Sequence, residues 1–72
     1  MSSRTILCPS GAEAARKLKI DTKTLYRWAK ENKIAAVQGP GGRWQVFLME
    51  YPGSIYLTVS PDRLPELLAG RG

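Results

Sequence analysis

Residues 20–34 read IDTKTLYRWAKENKI, and they carry two helical faces of opposite character. Asp21 stands where an N-cap belongs, and its carboxylate suits the positive end of a helix dipole. Behind it Leu25, Trp28 and Ala29 share one side of a helix. Lys23, Tyr26, Arg27 and Lys30 recur at i, i+3, i+4 and i+7 on another side. One face is therefore core. The other is a basic surface bearing an aromatic ring, with no acid interleaved before Glu31. A solvated helix side mixes its charges, so the pattern favours a surface that binds a polyanion.

The chain just upstream supplies a partner helix. In CPSGAEAARKLKI, residues 8–20, Ser10 is a good N-cap and Glu13 completes an S-x-x-E capping box. Gly11, Ala14, Ala15 and Leu18 fall on one small, flat face suited to close packing against another helix, with Arg16 and Lys17 turned elsewhere. This helix ends near Lys19, and only Lys19-Ile20-Asp21 separates it from the next. Two helices joined so tightly, with Ile20 plugging the corner, form a helix-turn-helix whose second helix presents its N-terminal half to a major groove.

Downstream, QGPGGRWQV at residues 38–46 admits two readings. A glycine-rich run can cradle phosphates, but a loop of that kind ends in Gly-Lys-Ser/Thr and leads into a helix. This one ends Gly-Gly-Arg-Trp and leads into RWQVFLM, where Trp44, Val46 and Leu48 alternate against Gln45 and Phe47. It is the tip of a β-hairpin, with AAVQ as the first strand and Arg43 carried at the tip. Tyr51-Pro52-Gly53-Ser54 has the Pro-Gly centre of a type II turn, after which Ile55–Val59 pairs back on Trp44–Met49. Ser60 and Pro61 suit a helix start. Pro65 makes the end either a broken turn or a short helix beginning near it, with Leu64, Leu67 and Leu68 docked on the core. The expectation is one domain over residues 1–72, of α+β class: a winged helix-turn-helix with two N-terminal helices, an antiparallel wing of two or three strands, and a short C-terminal helix or turn.

Charge and inventory narrow the function. Eleven Lys and Arg face six Asp and Glu, a net charge of +5. Eight of the basic residues but only three of the acids lie between Ala12 and Arg43, so that segment holds the whole excess. Outside it Arg4, Arg63 and Arg71 balance Glu50, Asp62 and Glu66. A basic patch so confined points to nucleic acid. There is no histidine, and Cys8 is alone, so the usual general base, an internal disulfide and a cysteine-cluster metal site are all excluded. Cys8 reads as a small semi-buried apolar residue. No catalytic residue, metal or cofactor is expected, nor a small-molecule ligand or membrane contact, and the cytoplasm is the expected compartment.

Ser10-x-x-Glu13-Ala-Ala, then Leu18-x-Ile20-Asp21-x-x-Thr24-Leu25-Tyr26-Arg27-Trp28, then Lys33-Ile34 and Gly41-Gly42-Arg43-Trp44 together resemble the small winged-helix DNA-binding domain of phage excisionases and MerR-like regulators. The resemblance spans about residues 6–48. It implies that the second helix enters the major groove while the wing touches a minor groove or backbone. Its recognition positions fall on Thr22, Lys23, Thr24, Tyr26 and Arg27, with Lys30 on the same basic face. Its wing position falls on Arg43, beside Gly42. It further implies an excisionase-like recombination directionality factor that bends double-stranded DNA with neighbouring copies and an integrase. A compact MerR-like transcriptional regulator is the alternative, and a protein–protein adaptor with a basic helix is a second one. Two departures from the family pattern stand out. Lys19 occupies the turn position where glycine is usual, and Ile55–Val59 adds a strand after the wing.

Overall fold

A computed structural model describes residues 3–69. The elements run β1 (Arg4–Cys8), α1 (Gly11–Leu18), α2 (Thr22–Lys30), β2 (Ala36–Gln38), β3 (Trp44–Tyr51), β4 (Ile55–Thr58) and α3 (Leu64–Ala69). The α+β winged helix-turn-helix stands as expected, but the sheet is four-stranded. The added strand is β1, which pairs antiparallel with β3 from Arg4↔Glu50 to Cys8↔Val46. On the other edge of β3, β2 pairs with Trp44–Val46 and β4 pairs with Leu48–Tyr51. The extra strand after the wing therefore uses only the far half of β3, not the whole of Trp44–Met49.

β3 is central, and that explains why its residues are buried in a run. Val46, Phe47 and Leu48 are all buried. Successive side chains of a strand point to opposite faces. On one face Val46 and Leu48 join Cys8, Ala14, Ala15, Leu25, Ala29 and Ile34 in the main core under α1 and α2. On the other, Phe47 joins Ala35 and Val59 in a smaller cluster on which Leu7, Met49, Leu64 and Leu67 pack. Ala35 ties that cluster to the sheet: its N–H donates to Val59 O and its carbonyl accepts from Phe47 N–H, at 2.8 and 2.9 Å.

The helix corner forms as the spacing predicts, with one change of chemistry. Ser10 Oγ accepts the Glu13 N–H at 3.3 Å, one half of the capping box. At the other end Lys19 adopts φ 60°, ψ 44°, with Ile20 N–H donating to Ala15 O and Lys19 N–H to Arg16 O. Those are the two bonds of a Schellman close, with lysine in the left-handed position that glycine usually fills. Asp21 occupies the N-cap of α2, yet its side chain makes no capping hydrogen bond. Its carbonyl accepts the Leu25 N–H at 3.1 Å, and its carboxylate places negative charge at the helix start.

The C-terminal segment is a 3₁₀ turn, Pro61–Arg63, running into α3, with Ser60 Oγ accepting the Asp62 N–H at 3.3 Å. Leu64 and Leu67 dock as expected, whereas Leu68 is exposed. Outside the basic segment, Arg4 Nε donates to Glu50 at 2.6 Å across the sheet and Arg63 Nε to Glu66 at 3.4 Å. Arg71 lies outside the described residues.

Candidate nucleic-acid interface

Helix α2 is held by its apolar side. Leu25 and Ala29 are buried against α1 and the sheet, and Trp28 packs on the same core half-exposed. What remains outward is Lys23, Arg27 and Lys30, all exposed. At 3.6 residues per turn these three share a single narrow stripe. None of them takes part in an ion pair among the described residues; the acid closest in sequence, Glu31, pairs with Lys33 at 3.2 Å instead. The stripe thus keeps its positive charge uncompensated.

Thr22 and Thr24 flank the stripe half-buried at the start of α2. Tyr26 is also half-buried, and its surroundings differ from the sequence expectation of an outward ring. It lies on the first residue of α1: a β-carbon built on Gly11 would stand 2.5 Å from Tyr26 Cε1 and 3.2 Å from its hydroxyl oxygen. Gly11 is accordingly part of the site's construction, because its missing side chain makes the seat for the ring. The small residue directly after the N-cap was the signal in the sequence. Its place on the small helix–helix face does not by itself reveal the ring that it seats.

The wing is a hairpin of β2 and β3 whose tip is a short 3₁₀ turn, Pro40–Gly42. Gly41 and Gly42 take φ 78° and 81°, a region that side-chain-bearing residues rarely enter. Gly39 N–H donates to Arg43 O at 2.7 Å, and Gln38 Nε2 donates to Gly42 O at 3.1 Å. These bonds fix the backbone of the tip and leave Arg43 exposed and out of any ion pair among the described residues. Trp44, which opens β3 opposite Gln38, packs on the same core as Trp28. Helix and wing are therefore anchored in one apolar cluster, so the α2 stripe and Arg43 are carried on a common support.

The remaining basic residues are not all equivalent. Lys17 sits with its ammonium 4.9 Å above the Tyr56 ring, directed to the sheet. Cys8 is fully enclosed, and burial raises its thiol above the ordinary range, which Lys17 only partly counters. A buried neutral thiol is a poor nucleophile and a poor ligand. No helix among the described residues is long and apolar enough to cross a membrane.

Comparison with known families gives one match: the profile of the helix-turn-helix domain covers residues 10–50, more than half of the chain. That family includes excisionase-like DNA-binding domains. The matched span runs from the N-cap of α1 to Glu50, one residue short of the end of β3, and so contains every side chain of the surface just described. No curated protein and no solved structure matches the chain.

Proposed function

The chain belongs to the helix-turn-helix domain family, and we propose that it grips double-stranded DNA with α2 in the major groove and the wing alongside. Lys23, Arg27 and Lys30 supply cations to phosphates or guanine edges, while Thr22, Thr24 and Tyr26 supply hydroxyls. Arg43, lifted on the glycine turn at Gly41-Gly42, reaches the backbone or a narrow minor groove. The observation that carries this reading is the uncompensated stripe Lys23, Arg27, Lys30 together with Arg43, while Arg4 and Arg63 are ion-paired with Glu50 and Glu66.

The finer role we infer is that of an excisionase-like recombination directionality factor, which bends DNA so that an integrase favours excision. It rests on the order and spacing of the motifs from Ser10 to Trp44. Bending a short site costs on the order of 1–6 kcal/mol, which the wing and helix contacts of several copies offset together. Such a protein acts in the cytoplasm, on the nucleoid, and needs no catalytic group of its own. The same surface at a promoter would make a MerR-like regulator.

Selection of bound duplexes from a random pool, followed by gel mobility of the selected site at varied positions in a fragment, tests both levels. A recovered motif whose mobility depends on position supports the bending role. A recovered motif without a bend moves the protein to plain transcriptional regulation. No retention of duplex at low salt overturns DNA binding and leaves the basic helix to an acidic protein partner.

A further inference from the structure

The sheet face turned away from α1 and α2 is only partly covered. Thr5, Leu7, Phe47 and Met49 lie on it by alternation, and β4 extends it: Leu57 is registered against Met49 and Ile55 against Tyr51. Helix α3 covers the Phe47 end through Leu64 and Leu67. At the β4 end Ile55 and Leu57 are 55% and 53% exposed.

Beside these side chains runs an open backbone edge. β4 pairs with β3 and, among the described residues, with no other strand. Natural sheets guard such edges with charged residues, proline or bulges. β1, the opposite edge, begins with Arg4. β2 stops after three residues and runs into Gly39-Pro40. β4 reads IYLT, and residues 53–60 contain no charged residue and no proline. Its shortness is its one safeguard.

The geometry points to a second copy of this chain as the occupant of that edge: β4 pairs antiparallel with its own counterpart about a twofold axis at Tyr56. Ile55 and Leu57 flank Tyr56 on the same face, so this register sets Ile55 of each copy opposite Leu57 of the other. Opposed apolar residues across antiparallel strands are the stabilising unit of a sheet. Charge permits the approach, because the excess of +5 is confined to residues 12–43 and the seam is uncharged. Lys17 is held over the Tyr56 ring, whose hydroxyl donates to the Glu50 carboxylate that Arg4 neutralises. An uncharged edge equally disfavours nucleic acid as the occupant. In the joined sheet both helix layers stand on one side, which turns the two α2 stripes to one duplex as inverted half-sites.

The test needs no DNA, so its failure is separable from failure of the DNA reading. Sedimentation equilibrium of the full chain from micromolar to millimolar concentration is expected to show growth from 8.0 kDa to twice that mass. Isotope-filtered NMR of a mixed-label sample is expected to connect Ile55 and Leu57 methyls across copies. Leu57→Lys, at an exposed position that leaves the fold's circular dichroism unchanged, should weaken self-association by roughly tenfold or more, and Ile55→Glu likewise. A wild-type chain that stays at 8.0 kDa throughout, or folded variants that associate as the wild type does, would overturn the proposal.

Discussion

The ring of Tyr26 in the second helix lies against the bare Cα of Gly11 in the first, at a separation that leaves no room for a methyl group: Cε1 would meet it at 2.5 Å. Gly11 is buried and opens α1 directly after its N-cap. The contact sets how the ring leaves α2, and with it the position of a hydroxyl beside the Lys23, Arg27, Lys30 stripe.

Gly11→Ala is therefore expected to destabilise the fold by about 1–2 kcal/mol, the scale of overpacking a close contact. In a Tyr26→Ala background the same change should be neutral or stabilising by up to ~1 kcal/mol, since alanine is the better helix former. A double-mutant cycle by urea denaturation reads the coupling directly. Equal costs in the two backgrounds would show that the ring does not occupy the seat.

Lys19 closes α1 at φ 60°, where a β-carbon crowds the following carbonyl. Lys19→Gly relieves a cost of about 1–2 kcal/mol and incurs about 0.5–1 kcal/mol of extra chain entropy in the unfolded state. The net expectation is a gain on the order of 0.5–1 kcal/mol, or a rise in Tm of up to about 8 °C for a domain this small. Lys19→Val should move Tm the other way, because a β-branched residue tolerates the left-handed region least. Calorimetry of the pair decides; a glycine variant no more stable than the valine one would refute the strain at this turn.

Most of the helical half was legible in the sequence because its signals are local. Ser10 and Glu13, the stripe Gly11-Ala14-Ala15-Leu18, and the two faces of α2 all lie within a few residues of one another. The glycine turn at Gly41-Gly42 marked the wing for the same reason. β1 was not legible: Arg4–Cys8 is five residues long, and its partner lies some forty residues onward at Val46–Glu50. That distance also hid the central place of β3, whose WQVFLMEY run alternates weakly because both faces are covered. On the site itself, Lys23, Arg27, Lys30 and Arg43 lie exposed as the spacing implied. Tyr26 departs because its seat belongs to the other helix, which no spacing within α2 reveals.

Glu50 joins three strands, accepting from Arg4 Nε of β1 at 2.6 Å and from the Tyr56 hydroxyl of β4 at 3.1 Å. Those two hydrogen bonds, Arg4's first, hold its carboxyl below the usual 4.5. With the native value lowered, the unfolded chain binds the proton more tightly. The contribution to stability is present above the ordinary value and is lost as pH falls through the lowered one. Glu50→Gln is thus expected to make stability fall less steeply on acidification below about pH 4.5. The difference should shrink in high salt, since Arg4 is solvent-exposed. Urea midpoints measured across pH 2–6 check it; parallel curves for the two proteins would remove Glu50 from the acid response.

Arg27 and Arg43 stand on separate elements, one at the middle of α2 and one at the tip of the wing, so their losses should be nearly additive. Arg27→Ala is expected to weaken binding of the selected duplex by ~1–3 kcal/mol if the guanidinium reads a base, and to relax sequence preference at one position. Contact with phosphate alone should weaken all duplexes alike and lower the salt slope by about one. Arg43→Ala is expected to follow the phosphate pattern if the proposed wing contact is to backbone, and to act most on sites with a narrow minor groove if it is to the groove. Lys17→Ala is the internal control: its ammonium is engaged over Tyr56, away from α2, and its loss should leave the slope within error of wild type. Fluorescence anisotropy titrations at several salt concentrations separate these cases. Folded Arg27 and Arg43 variants with unchanged affinity, or a Lys17 variant that loses more than either, would move the DNA contact to a different surface.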